Sequence, residues 1–208
     1  MKKEPIIAIS DGSKGKYETY KYLLERCKKA IEKEYYLEAI WIVYAMLEDR
    51  TTSLLFYCGF VNKKNKGHAT QNRNVNKPNH GNLREVIDVL GSKTFGFSKI
   101  SGKLRAIYKT IEWAESDKSA VNQYYSDLRK RILAFSSLPA LKKELELLDI
   151  WRKKRNEMIH SAFSKDYSAL SFEWKGLAEE GLRGVREIDK LVKHMKREID
   201  LRKKYNIQ

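Results

Sequence analysis

Proline and cysteine are scarce in this chain and acid falls well short of base, and each shortage narrows what it can be. Three prolines in 208 residues, with 42% hydrophobic residues, suit one well-buried domain, and the length is too short to expect two. The two cysteines, Cys27 and Cys58, stand alone, without a CxxC pair or a histidine at metal-ligand spacing. That argues against a structural zinc site and fits a reducing compartment. No apolar run approaches the roughly 20 residues that span a bilayer; the longest is Ala39–Leu47. Met1–Lys16 is charged and lacks the apolar centre of a signal peptide. These shortages lead us to expect a soluble, cytoplasmic protein with no membrane span. The shortage of acid has the opposite character, because it points to a partner. Lys and Arg number 42 against 27 Asp and Glu, a net +15, and such an excess favours a polyanion through charge neutralisation and counterion release. Nucleic acid is the first expectation and an anionic membrane surface the second.

What is present is mainly helical periodicity. Residues 1–16, with Asp11-Gly12-Ser13 and Gly15, are expected to form a flexible N-terminal tail, and residues 17–208 a single helical domain. Tyr20, Leu23, Leu24, Cys27 and Ile31 recur at spacings of three and four. A second periodicity, Ile40, Tyr44, Leu47, Thr51, Leu54 and Cys58, is widened by Trp41 and Leu55 and predicts a central helix over about Tyr36–Tyr57. Glu48 lies at its edge, followed by Asp49 and Arg50.

Residues 59–82 then change abruptly to Asn, Lys and Gly, and read as a mobile basic loop, a lid, an RNA-contacting arm or a plain solvated insertion. Its His68 and His80 lack the Cys or carboxylate companions of a metal site. A short helix over Leu83–Leu90, a Gly/Ser loop to Gly102 anchored by Phe95 and Phe97, and helices over Leu104–Glu115 and Ser119–Phe135 follow. Ser136-Ser137-Leu138-Pro139 then opens a long helix with a cap and a first-turn proline. After a serine-rich connection over Ser161–Ser171, a last helix covers about Phe172–Tyr205, with a break expected at Gly176, Gly181 and Gly184 and a basic end.

The chemistry concentrates on the helix over Leu138–Phe163. At about 100° per residue, Leu141, Leu145, Leu148, Ile159 and Phe163 form one apolar stripe, and Arg155 falls inside it. A guanidinium on a core-facing line is costly unless it is paired or lines a polar cleft. Asn156 and His160 share a face about 100° to 140° further round. A second Arg-to-His match, Arg73-Asn74 to His80, lies in the Asn/Gly-rich segment beside Pro78, where no helix holds its members at fixed angles. Glu48 or Arg50 is expected either to be salt-bridged on a solvated face or to support Arg155 from the neighbouring helix.

Arg155-Asn156-Glu157-Met158-Ile159-His160, at the end of a long helix in a helical chain, resembles the signature of the HEPN superfamily. The resemblance implies an all-α, HEPN-like helical bundle and a metal-independent endoribonuclease that needs no cofactor. It also implies a composite site at a homodimer interface, with Arg155, Asn156 and His160 as catalytic residues, and a toxin or phage-defence role with an antitoxin or defence-system partner. Some members carry a Tyr two residues after the His, modified by a partnered nucleotidyltransferase antitoxin; here that position is Ala162, which argues against that kind of partner.

RNA cleavage suits these side chains. The 2′-hydroxyl is a nucleophile already beside its phosphate, so protons must be moved and charge on the phosphoryl oxygens stabilised. Imidazole can act as acid or base near neutrality, and the arginine fork can bind nonbridging oxygens. Asn156 would orient the imidazole or bind a phosphate oxygen. Arg152, Lys153 and Lys154 would make an RNA-binding rim, or else an ordinary solvated helix face. The alternative from another class is a noncatalytic helical RNA-binding or adaptor module.

Overall fold

In the computed structural model the described residues are 13–63, 69–71, 99–116, 123–161, 167–197 and 201–205. They form α1 (Ser13–Glu32), α2 (Tyr36–Tyr57), a two-stranded ladder of β1 (Val61–Lys63) and β2 (Ala69–Gln71), α3 (Ile100–Ser116), α4 (Gln123–Leu133), α5 (Leu138–Ser161), α6 (Tyr167–Arg197) and the short α7 (Leu201–Lys204). The all-α expectation holds, with the three-residue antiparallel ladder, Val61 opposite Gln71 and Lys63 opposite Ala69, as a minor addition. Part of the 59–82 segment is therefore paired strand rather than aperiodic loop. Its remainder, the predicted Leu83–Leu90 helix, Phe95, Phe97, His68, His80 and the Arg73–His80 match lie outside the described residues. No helix among the described residues is long and apolar enough to cross a membrane.

The element boundaries follow local chemistry. Glu34, at a positive φ of 62°, ends α1 with Tyr35 N–H donating to Ala30 O (2.8 Å) and Glu34 N–H to Ile31 O (3.1 Å). That is the paired hydrogen-bond pattern of a left-handed helix stop. Gly59, φ 78°, stops α2 in the same way, with Phe60 N–H bonded to Leu55 O (3.0 Å) and Gly59 N–H to Phe56 O (2.9 Å). Tyr124 packs against Gly59 and donates to Cys58 O at 2.6 Å. Ser137 O accepts from Leu141 N–H (3.0 Å) at the start of α5, where the cap was expected.

One contiguous hydrophobic cluster draws on every helix and is centred on α2, whose Ile40, Val43, Met46, Leu47, Leu54 and Leu55 are fully enclosed. The most extensive interface joins α2 to α6, followed by α5 with α6 and α1 with α2. Three sequence readings need correcting. Ser13–Lys16, expected in the N-terminal tail, belong to α1, and residues 1–12 lie outside the described residues. The connection after His160 is shorter, because α6 begins at Tyr167. Finally, α6 runs unbroken through Gly176, Gly181 and Gly184.

The last correction has a packing cause. A Cβ at Gly181 would lie 2.6 Å from Trp151 Cε2 and 2.7 Å from Val43 Cγ1, and one at Gly184 would lie 2.6 Å from Leu148 Cδ2. These glycines let α5 and α2 approach α6 closely, and Trp151 Nε1–H donates to Leu177 O across the contact (2.7 Å). The close contact outweighs the ~1 kcal/mol helix penalty of each glycine.

Candidate functional site at Arg155

The apolar stripe of α5 is real, and Trp151 extends it: Leu141, Leu145, Leu148 and Trp151 are all buried. Ile159 is half-buried, and Phe163 lies outside the described residues. Arg155, one turn beyond Trp151, emerges at the edge of the stripe in a half-buried position. Its guanidinium carbon sits 4.3 Å from the ring centroid of Tyr44 and 4.6 Å from that of Trp41, both on α2. The guanidinium is thus held against two aromatic rings, an arrangement worth ~0.5–2 kcal/mol per contact depending on desolvation.

Arg155 Nη1 donates to Asn156 Oδ1 at 3.0 Å, while Nε is buried without a hydrogen-bond partner. No carboxylate among the described residues pairs with it. Burial pushes its pKa below the ordinary arginine value, opposed by Tyr44. A cation that keeps its charge in such a place, without a counter-ion among the described residues, is suited to an external anion.

Trp41 is the residue that sequence reasoning placed wrongly. It was expected to widen the buried stripe of α2, yet it is 52% exposed. The available signal was the angular edge it occupies on a helix whose opposite side is fully enclosed. His160 is exposed in the last turn of α5. Within one chain it lies about 140° round the helix from Arg155. Asn156 turns its amide oxygen to Arg155 and so holds the guanidinium from the next residue of α5.

Of the basic rim, Arg152 Nη2 and Lys153 Nζ both pair with Asp149, at 3.2 and 3.3 Å. Lys154 is exposed beside Leu147 and Ile150. The charge of the rim is therefore partly neutralised within α5 itself.

Glu48 and Arg50 are engaged away from Arg155. Glu48 Oε1 lies 3.4 Å from Lys103 Nζ, whose amine also donates to Thr52 Oγ1 (2.9 Å). Burial lowers the Lys103 pKa, against the pull of Glu48. Arg50 binds Asp49, and its Nη1 binds Asp189 Oδ1 at 3.1 Å, under the Tyr20 ring. Burial opposes the Arg50 charge, but Asp49 and Asp189 raise its pKa overall. Of the two expectations for these residues, salt bridging is the one seen, and none of these ion pairs involves Arg155. They tie α2 to α3 and to α6, because a half-enclosed charge binds its nearest opposite charge.

A separate cleft of about 320 Å³ lies between α1 and the start of α2, bordered by Tyr22, Tyr35, Lys29 and Lys33. It takes no side chain from α5. No protein-family model, curated protein or solved structure matches this chain.

Proposed function

We propose that the chain is a metal-independent endoribonuclease of the HEPN kind, cleaving RNA by 2′-hydroxyl attack at a composite site formed by two copies of α5. The observation that carries the reading is the Arg155 guanidinium, held between Trp41 and Tyr44 with no carboxylate among the described residues to neutralise it. In this role Arg155 stabilises charge on the phosphoryl oxygens and His160 moves the proton, while Asn156 fixes the guanidinium. On α5, Arg155 and the exposed His160 lie on different faces of one helix, so a homodimer supplies the acid, base and anion stabiliser together. The net charge of +15 suits the polyanionic substrate. A cytoplasmic toxin or phage-defence role, held in check by an antitoxin or defence-system partner, belongs to the same proposal.

The second reading is a noncatalytic RNA-binding or adaptor module. It is favoured by the angular separation of Arg155 and His160 on α5. The deciding experiment incubates wild type, Arg155→Ala and His160→Ala with single-stranded RNA in EDTA, with circular dichroism to check folding. Cleavage by wild type and loss of at least 100-fold in both folded variants, about the least expected for a general acid-base residue, is the expected result. Equal binding without cleavage by any of the three leaves the adaptor.

A further inference from the structure

We propose that Trp41 is a stacking platform for an unpaired base, so that the Arg155 site takes single-stranded polynucleotide, the indole holding a base and the guanidinium an adjoining phosphate. This rests on the reading that the site handles RNA, and it adds the form of RNA and a residue outside the resembled motif. Three observations converge on it.

The first is exposure. Trp41 is 52% exposed on a helix whose neighbouring Ile40 and Val43 are 2% and 0% exposed. Leu37, one turn earlier, is 41% exposed and lengthens the apolar strip. The second is geometry: the guanidinium carbon lies 4.6 Å from the Trp41 centroid and 4.3 Å from that of Tyr44. A cation on one side of an exposed indole leaves ring surface open to solvent. The third is charge. Arg155 makes one hydrogen bond, to Asn156, and no ion pair among the described residues.

If Arg155 were only a structural cation, the half-buried Tyr44 would suffice to hold it, and exposing Trp41 would gain nothing. A π-face next to a guanidinium with no ion pair among the described residues instead matches the two parts of a nucleotide, base and phosphate. Every base has a π-face, so stacking is tolerant of sequence. In a duplex the bases are stacked inside and cannot reach the indole.

The test uses the full chain and a mixed-sequence 2′-O-methyl RNA, which has no free 2′-hydroxyl to attack, titrated at fixed salt while tryptophan fluorescence is read. Trp113 and Trp151 are each 1% exposed and Trp174 is half-buried, so Trp41 is the most exposed of the four indoles and the main one open to quenching. Quenching by the single strand and not by the duplex is expected. Trp41→Ala should abolish the quench and weaken binding about tenfold or more, with Trp41→Phe intermediate.

Unchanged affinity in Trp41→Ala, equal quenching by duplex, or no binding by wild type overturns the proposal. So does a shift of Trp41→Ala from dimer to monomer with affinity retained, which makes the indole a contact between copies. Stacking without cleavage of ordinary RNA removes the nuclease and keeps this proposal. Cleavage with an unchanged KM in Trp41→Ala does the reverse.

Discussion

Glu34 and Gly59 end their helices with the same pair of hydrogen bonds, but only one of them is a glycine. A side chain at φ 62° carries a left-handed strain that glycine does not. Glu34→Gly should therefore stabilise the fold by about 0.5–1 kcal/mol, after the added freedom of glycine in the unfolded chain is counted. Urea unfolding measures it, and a loss of stability would contradict the assignment of Glu34 as a strained stop. The cysteines make a second prediction at this scale. Burial raises the Cys27 thiol to about 11 and the Cys58 thiol to about 12. Neither is a ready thiolate at pH 8, so a thiol-specific chromogenic reagent should label them only as fast as the protein unfolds. At Arg155 itself, a cation on a core-facing stripe was legible in the helical spacing. Its aromatic partners were not, because they come from a helix more than 100 residues earlier in the chain.

At the scale of elements, α6 depends on close approach. Gly181→Ala places a methyl against Trp151 and Val43, so it should cost ~1–3 kcal/mol despite alanine's better helix propensity. Gly176, with open space around its Cβ position, is the control, and Gly176→Ala should stabilise by up to ~1 kcal/mol. Denaturation midpoints of the two variants should move in opposite directions.

The short α7 is fastened to α4 through Asp127, whose Oδ2 accepts from Lys204 Nζ (2.6 Å) and Tyr205 Oη (2.7 Å). These partners, Lys204 first, lower the Asp127 carboxyl from 3.8 to about 2. A depressed carboxyl contributes stability that is complete above its unfolded pKa and fades as pH falls through the folded one. The stability difference between wild type and Asp127→Asn should therefore hold steady above pH 4 and shrink towards pH 2, as followed by thermal melts. A difference that grew on acidification would show that the bonds to α7 do not depend on the charged carboxylate.

The whole molecule is a basic bundle around one core, and its excess charge is unevenly available. Asp149 occupies both Arg152 and Lys153, while Lys154 is exposed beside them. On the proposed RNA-binding function, Asp149→Asn should thus tighten binding and steepen its salt dependence, whereas Lys154→Gln should reduce the salt slope by about one. Titrations at several salt concentrations check both. The amino-acid sequence by itself determined the helical class, the α2 and α5 stripes, the start of α5 and the anomalous position of Arg155, since these follow from spacing within about twenty residues of chain. Only the tertiary structure decided which charges pair, why Gly181 and Gly184 sit inside an unbroken helix, and that Trp41 faces solvent beside Arg155. Each of those is settled by surfaces that meet from distant parts of the chain, and no periodicity within one helix records what lies across from it.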